Sequence, residues 1–210
     1  MAMKENCMYK GQMFVVSGPS GAGKGTICKR LVDTLSDVEL SVSMTTRAPR
    51  PNEVEGVNYY FVTQEVFEDT IAQNGFFEYA KVYGNYYGTP KAKVIEKLDE
   101  GRDVILEIDI QGALNIRKSY PQGILIFILP PSMAELRKRI TGRGAETEAA
   151  INLRMGEALR EVSYIDKYDY CIVNGELDEA VNRVNAVIVA EHSRVSADIY
   201  ELIAGYKEEI

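Results

Sequence analysis

The apolar run Met13-Phe14-Val15-Val16 leads into GPSGAGKGT at 18–26, and that junction constrains the fold more than any other stretch. A short β-branched apolar run bounded by turn signals predicts a buried strand, and apolar residues three or four apart over 27–35 predict a helix just beyond the glycines. Strand, glycine-rich turn and helix gather successive backbone N–H groups at a helix N-terminus, an arrangement suited to phosphate oxygens. Glycines let that backbone come close, and Lys24 adds positive charge near the outer phosphates. Position 25 departs from the strict pattern: Ser or Thr there would ligate magnesium, but the residue is Gly, followed by Thr26. Gly25 therefore predicts a magnesium ion held mainly by water and nucleotide oxygens.

The rest of the chain alternates in the same way. Apolar runs at 104–108, 124–129 and 170–173 predict further buried strands; helical spacing appears over 90–98, after Ser132, and from 177 to about 197. Ser132 and Glu135 have the spacing of a capping box, and Thr89-Pro90 has the pattern of an N-cap followed by proline at the first helical position. Alternating strands and helices imply an α/β fold with a parallel sheet covered on both faces. Residues 40–89 break the rhythm: rich in Tyr, Thr and Asn, they predict a small mixed β insertion with one helix near 65–73. The 210 residues, 46% of them hydrophobic, suffice for one substantial core. A formal charge of −7 argues against a general nucleic-acid binder or a polybasic membrane-surface protein. Cys7, Cys28 and Cys171 suggest neither a disulfide framework nor a zinc site. No apolar run approaches the roughly 20 residues of a membrane span, so a soluble cytoplasmic protein is expected.

Three further stretches carry chemistry. Glu107 and Asp109, two apart on a strand reading, are expected on one side near its carboxyl end, where ligands sit in open α/β sheets. In SVSMTTRAPRPNEVEGVNYYF, Arg47 and Arg50 offer guanidinium forks for a phosphate around a stiff Ala48-Pro49, with Tyr59 beyond. In ELRKRITGRGAETEAAINLR, Arg139 and Arg143 are four apart, Gly142 and Gly144 read as hinges, and Thr147 caps a helix carrying Arg154. The one histidine, His192, is expected on the surface.

Taken together, SGPSGAGKGT, SVSMTTRAPRPNEVEGVNYYFV, FFEYAKVYGNYYGTP, ILEIDIQG, PPS, RITGRGAETEAAINLRM and IVN resemble, in order and across nearly the whole chain, the guanylate kinase family of nucleoside monophosphate kinases. The resemblance implies a P-loop core (11–39, 90–138 and 158–210), a GMP-binding insertion (40–89) and a helical lid (139–157), with ATP, GMP and magnesium as ligands. By the same resemblance Gly18, Pro19, Ser20, Gly21, Ala22, Gly23, Lys24, Gly25 and Thr26 hold the ATP phosphates, and Asn174 touches adenine. Arg47, Arg50, Tyr59 and Tyr87 hold the GMP phosphate; Ser43, Glu78, Thr89 and Asp109 surround guanine. Lys24, Arg47, Arg139, Arg143 and Arg154 serve the transfer, and Glu107 joins the magnesium and water network. The guanine set is chemically apt, because guanine offers the O6 acceptor and the N1–H and N2–H2 donors, whereas adenine has an amino donor at position 6 and nothing on C2. That argues against an adenylate- or uridylate-type kinase, and the intact Lys24 and glycines argue against a non-catalytic peptide-binding scaffold domain.

Overall fold

A computed structural model describes residues 10–206 apart from 83, 143–146 and 196. Along the chain it forms β1 (Met13–Ser17), α1 (Lys24–Thr34), β2 (Val38–Leu40), β3 (Met44–Thr45), β4 (Tyr60–Phe61) and α2 (Gln64–Ala72). There follow β5 (Phe76–Val82), β6 (Asn85–Pro90), α3 (Lys91–Asp99), β7 (Asp103–Glu107), α4 (Ile110–Ser119) and β8 (Ile124–Leu129). The chain continues through α5 (Met133–Thr141), α6 (Glu148–Val162), β9 (Tyr170–Val173), α7 (Leu177–His192) and α8 (Ala197–Tyr206). Cys7 and Arg143 lie outside the described residues.

The apolar runs of β7, β1 and β8 become the middle of a five-stranded sheet of order β2-β7-β1-β8-β9, parallel throughout, whereas the run at 170–173, expected to be buried, is the edge strand β9 with only Ile172 buried. Successive side chains of a strand point to opposite faces, and here both faces are covered, so β1 is apolar at every step. Phe14 and Val16 pack with Ile27 and Leu31 of α1 and with Val184 and Ile188 of α7. Met13 and Val15 pack on the other face with Val94 and Leu98 of α3 and Ile116 of α4. β1 therefore cannot slip by one residue without exchanging its two packing layers.

The insertion forms a second, four-stranded sheet, β4-β3-β6-β5, with β3 and β4 parallel and the other pairs antiparallel, as the mixed composition predicted. Its centre is aromatic. Phe67 of α2 is fully buried, stacked at 4.3 Å from Phe76 and 5.1 Å from Tyr86, with Tyr79 edge-on. Thr63 caps α2 by accepting the Val66 N–H, which sets where this helix starts.

Several expectations change. The three-residue strand β2 has no apolar run to announce it; Leu40, expected to open the insertion, pairs with Ile105 in the core sheet. Thr89 does not cap α3, because β6 runs on to Pro90, which itself occupies the N-cap position without a side-chain bond. Asp109 is not on the strand: β7 ends at Glu107, and Asp109 caps α4 by accepting the Gly112 N–H at 2.7 Å. The helix expected from 177 to 197 stops at His192, where Ser193 turns the chain and donates back to the Val189 carbonyl. His192 is more than a surface residue: its Nε2 lies 2.8 Å from Asp103 Oδ2, a buried carboxylate that also accepts the Gln12 N–H. α7 is thereby tied to the amino-terminal end of β7.

Because Phe67 fills the insertion and touches neither core layer, Phe67→Ala is expected to cost about 3–5 kcal/mol locally. Amide hydrogen exchange should then rise throughout 60–90 while β1 and β8 keep their protection. Equal loss of protection in both sheets would contradict an independently packed insertion.

Candidate active site

The loop after β1 is shaped by two close approaches. At Gly18 φ is 137°, and a Cβ would stand 2.3 Å from the Ile128 carbonyl oxygen of neighbouring β8. At Gly23 φ is 95°, and a Cβ would stand 2.3 Å from Asn174 Nδ2. Any L-residue is both strained and blocked there. α1 starts at Lys24 with no side-chain cap, so the N–H groups of its first turn face the hollow of the loop. That hollow is a cavity of about 380 Å³ lined by Ser20, Gly21, Gly23, Lys24, Gly25, Thr26 and Glu107. Pro19 accepts the Ala22 N–H, closing the loop's inner turn.

Lys24 Nζ donates to the Gly18 carbonyl at 2.6 Å and to Pro19 at 3.2 Å, so the ammonium is held over the loop. Burial lowers its pKa, opposed by the carboxylates of Glu107, Glu161 and Asp109 and by Cys28. The pairing of Val16 with Glu107 brings the carboxyl end of β7 beside the loop. A Cβ at Gly25 would lie 3.2 and 3.3 Å from the two Glu107 carboxylate oxygens. Glu107 thus fills the space that a side chain at position 25 would take. Burial raises its pKa and Lys24 counters the shift.

Beyond Glu107 the insertion meets the core. Glu78 on β5 and Asp109 at the start of α4 converge over Gly112, whose Cβ position is 3.4 Å from Glu78 Oε2 and 3.2 Å from Asp109 Oδ1. Burial raises the Glu78 pKa; hydrogen bonding from Thr89 lowers it and Asp109 raises it. The Thr89 hydroxyl, expected near a base, donates to Glu78 Oε1 at 2.6 Å. A partly desolvated carboxylate is a stronger acceptor than a neutral carbonyl oxygen. Ser43 stands immediately before β3, and its carbonyl accepts the Tyr60 N–H.

The phosphate-binding candidates of the insertion form a separate group. Arg47 lies 5.5 Å from the centre of the Tyr59 ring, Tyr59 is 5.9 Å from Tyr87, and the Tyr87 hydroxyl reaches the Arg47 guanidinium. Arg50 joins them through its backbone N–H, which donates to Glu53 at 2.7 Å. From the other side of the loop come the helical arginines. Arg139 donates from Nη2 to the Asn174 carbonyl and from Nε to Glu135, and Arg154 Nη2 donates to Ser20 Oγ at 2.8 Å. α5 and α6, which carry them, share a small apolar cluster of Leu136, Ile140, Ile151 and Ala158. Two residues were missed from the sequence. Glu53 pairs with Arg47, and Glu161 couples electrostatically to Lys24. Glu161 lies two turns after Arg154 on one helix face, a spacing that the sequence displays.

Asn174 follows β9 and lines a second cavity of about 360 Å³ with Gly21, Gly23, Thr26, Arg139, Gly142, Gly175 and Leu177. Its side chain is 2.8 Å from the Ala22 carbonyl, to which it donates, and the residue is 5% exposed. The amide thereby anchors the phosphate loop. Asn174→Ala should therefore leave the buried Ala22 carbonyl unpartnered, at about 1–3 kcal/mol. The expected result is a roughly ten-fold rise in the KM of the nucleotide bound by the loop, with the other substrate's KM unchanged. Equal rises in both would contradict this role.

The arrangement has counterparts in known proteins. A family model described as guanylate kinase matches residues 10–191. A guanylate kinase of Clostridium acetobutylicum is 58% identical over 186 residues, covering 89% of this chain and 88% of the relative. One from Clostridium tetani is 56% identical over 188 residues, covering 90% of each. The crystal structure of guanylate kinase from Anaplasma phagocytophilum is similar with a TM-score of 0.73 at 33% identity, over 93% of this chain and 94% of that one. A match this long includes the loop, the insertion and both carboxylates over Gly112, and it places the chain in the guanylate kinase family.

Proposed function

We propose that the chain is a cytoplasmic guanylate kinase that transfers the γ-phosphoryl group of Mg-ATP to GMP, giving ADP and GDP in purine nucleotide metabolism. The observation that carries the choice of acceptor is the convergence of Glu78 and Asp109 over Gly112. Two carboxylates at one edge suit the N1–H and N2–H2 donors of guanine, and adenine would bring them no such donors. Thr89 acts here by orienting Glu78, and Ser43 is the hydroxyl assigned to O6. Arg47, Arg50, Tyr59 and Tyr87 hold the acceptor phosphate.

ATP takes the other side, with its phosphates in the loop cavity and its base in the cavity beside Asn174 and Arg139. Lys24 exchanges its loop carbonyl partners for phosphate oxygens, and Arg139 and Arg154 bring positive charge to the transferring group. Residues 139–157 act as the lid, with Arg143 assigned from the family resemblance. Positioning and electrostatic stabilisation supply most of the rate in such transfers. The donor set fits magnesium coordinated largely by water and phosphate: Glu107 and the Thr26 hydroxyl stand at the loop cavity, and Gly25 adds no ligand of its own. Glu107 and Thr26 would hold the ion through its waters, and it would supply positive charge against the phosphates in the transfer.

Glu78→Gln replaces an acceptor oxygen by an amide donor facing guanine's own donors. Losing a charged hydrogen bond is worth about 1.5–3 kcal/mol, so kcat/KM for GMP should fall roughly one to two decades. AMP should lose less, narrowing the preference, and the unliganded protein should keep or gain stability at neutral pH because a carboxyl whose pKa is raised by burial is removed. As pH falls through that raised pKa the wild type should lose GMP affinity, and Glu78→Gln should not show this step. A parallel fall for GMP and AMP would mean that Glu78 only holds the insertion together.

A further inference from the structure

Glu53 belongs to none of the roles above, yet it makes the most complete ion pair of the insertion. Its Oε1 accepts from Arg47 Nη2 at 2.8 Å and its Oε2 from Nη1 at 3.0 Å, a fork against a fork. Oε2 also accepts the Arg50 N–H at 2.7 Å, and Arg47 Nη1 donates again to the Ala48 carbonyl at 2.7 Å. The two side chains are 16% and 17% exposed. A carboxylate has thus joined both arginines of the loop. The fork and the Arg50 N–H hold the Glu53 carboxyl below the usual range, so it stays charged at neutral pH.

A guanidinium has two edges that can grip an oxyanion, Nη1 with Nη2 and Nη2 with Nε. Glu53 takes the first. The ring of Phe61 lies 5.9 Å from the guanidinium carbon and that of Tyr59 5.5 Å, so the plane is set by aromatic neighbours as well as by the carboxylate. An arginine side chain that is fixed in advance loses less rotamer entropy when a phosphate binds. Accepting the reading that this group holds the acceptor's phosphate, we propose that Glu53 is a positioning residue. It clamps the Nη1–Nη2 edge of Arg47 from behind, turns the Nη2–Nε edge toward the phosphate of the nucleoside monophosphate, and sets the Arg47–Arg50 spacing through the Arg50 N–H.

The proposal differs from a loop staple and from a surrogate anion that phosphate must displace. Glu53→Gln separates them, because glutamine keeps an oxygen for the Arg50 N–H but opposes an amide donor to a guanidinium donor. Equilibrium binding of GMP and of guanosine, which lacks the phosphate, gives the readout, together with steady-state KM and kcat. The variant is expected to bind GMP at least ten-fold more weakly and guanosine as the wild type does, with KM for GMP raised and KM for ATP unchanged. In an Arg47→Ala background the same substitution should add little, since coupled residues are not additive. Glu53→Asp keeps the charge on a shorter arm and should recover part of the GMP affinity; if Glu53→Gln does not fold, Glu53→Asp against wild type, with GMP weakened and guanosine unchanged, is the deciding comparison. Unchanged or tighter GMP binding would overturn the proposal, as would an equal loss for GMP and guanosine. A wild type that binds neither would instead refute the reading of the site on which the proposal rests.

Discussion

The phosphate loop has no room for side chains where it crosses its neighbours, and much of the molecule is arranged around that contact. Gly18 lies against the Ile128 carbonyl of β8, and Gly23 lies against the Asn174 amide after β9. The loop's shape is therefore imposed by the sheet and needs no ligand to hold it. Its neighbours β8 and β9 are in turn fixed by register, Phe14 with Ile124 and Ile128 with Ile172, and by the apolar layers on each face. A hollow built from backbone N–H groups on such a base is preorganised, so little reorganisation remains for the moment of reaction.

Electrostatic tension is concentrated around that hollow. Glu107, Glu161 and Asp109 all act on Lys24, while Glu78 and Asp109 repel each other across Gly112. Burial disfavours each charged form, raising the carboxyl pKa of Glu78, Glu107 and Glu161 and lowering that of Lys24. Such groups weaken the unliganded fold. The insertion solves the matching problem for its own cation by supplying Glu53, so that Arg47 waits already oriented. Perturbed groups of this kind cluster at sites that do chemistry.

How much of this was legible in the chain depends on whether local pattern or tertiary choice decides the outcome. β8 falls on its apolar run residue for residue, because a strand covered on both faces has little place for a polar residue, and β9 matches its run in bounds although, at the sheet edge, only Ile172 of it is buried. β2, three residues long with Glu39 at its centre, has its place through pairing with β7, which no local pattern reveals. Side-chain hydrogen bonds were harder still. Thr89 had the pattern of a helix start, but the strand β6 runs on past it and brings its hydroxyl to Glu78. The contact of the Asn174 amide with the Ala22 carbonyl joins residues 152 positions apart, which no local pattern reveals. Glu53 was visible as one acidic residue six positions after Arg47, but only the folded loop shows its two oxygens meeting both nitrogens.

In the proposed function, carboxylates at the meeting of insertion and core choose the acceptor, while the loop activates a common donor. That assignment is tested most directly by coupled measurement of ADP formation from Mg-ATP by the wild-type protein with GMP, AMP, UMP and CMP as alternative acceptors. Turnover is expected with GMP, with a kcat/KM for each of the others lower by orders of magnitude. Comparable rates with AMP or UMP, or no ADP formed with GMP, would contradict it.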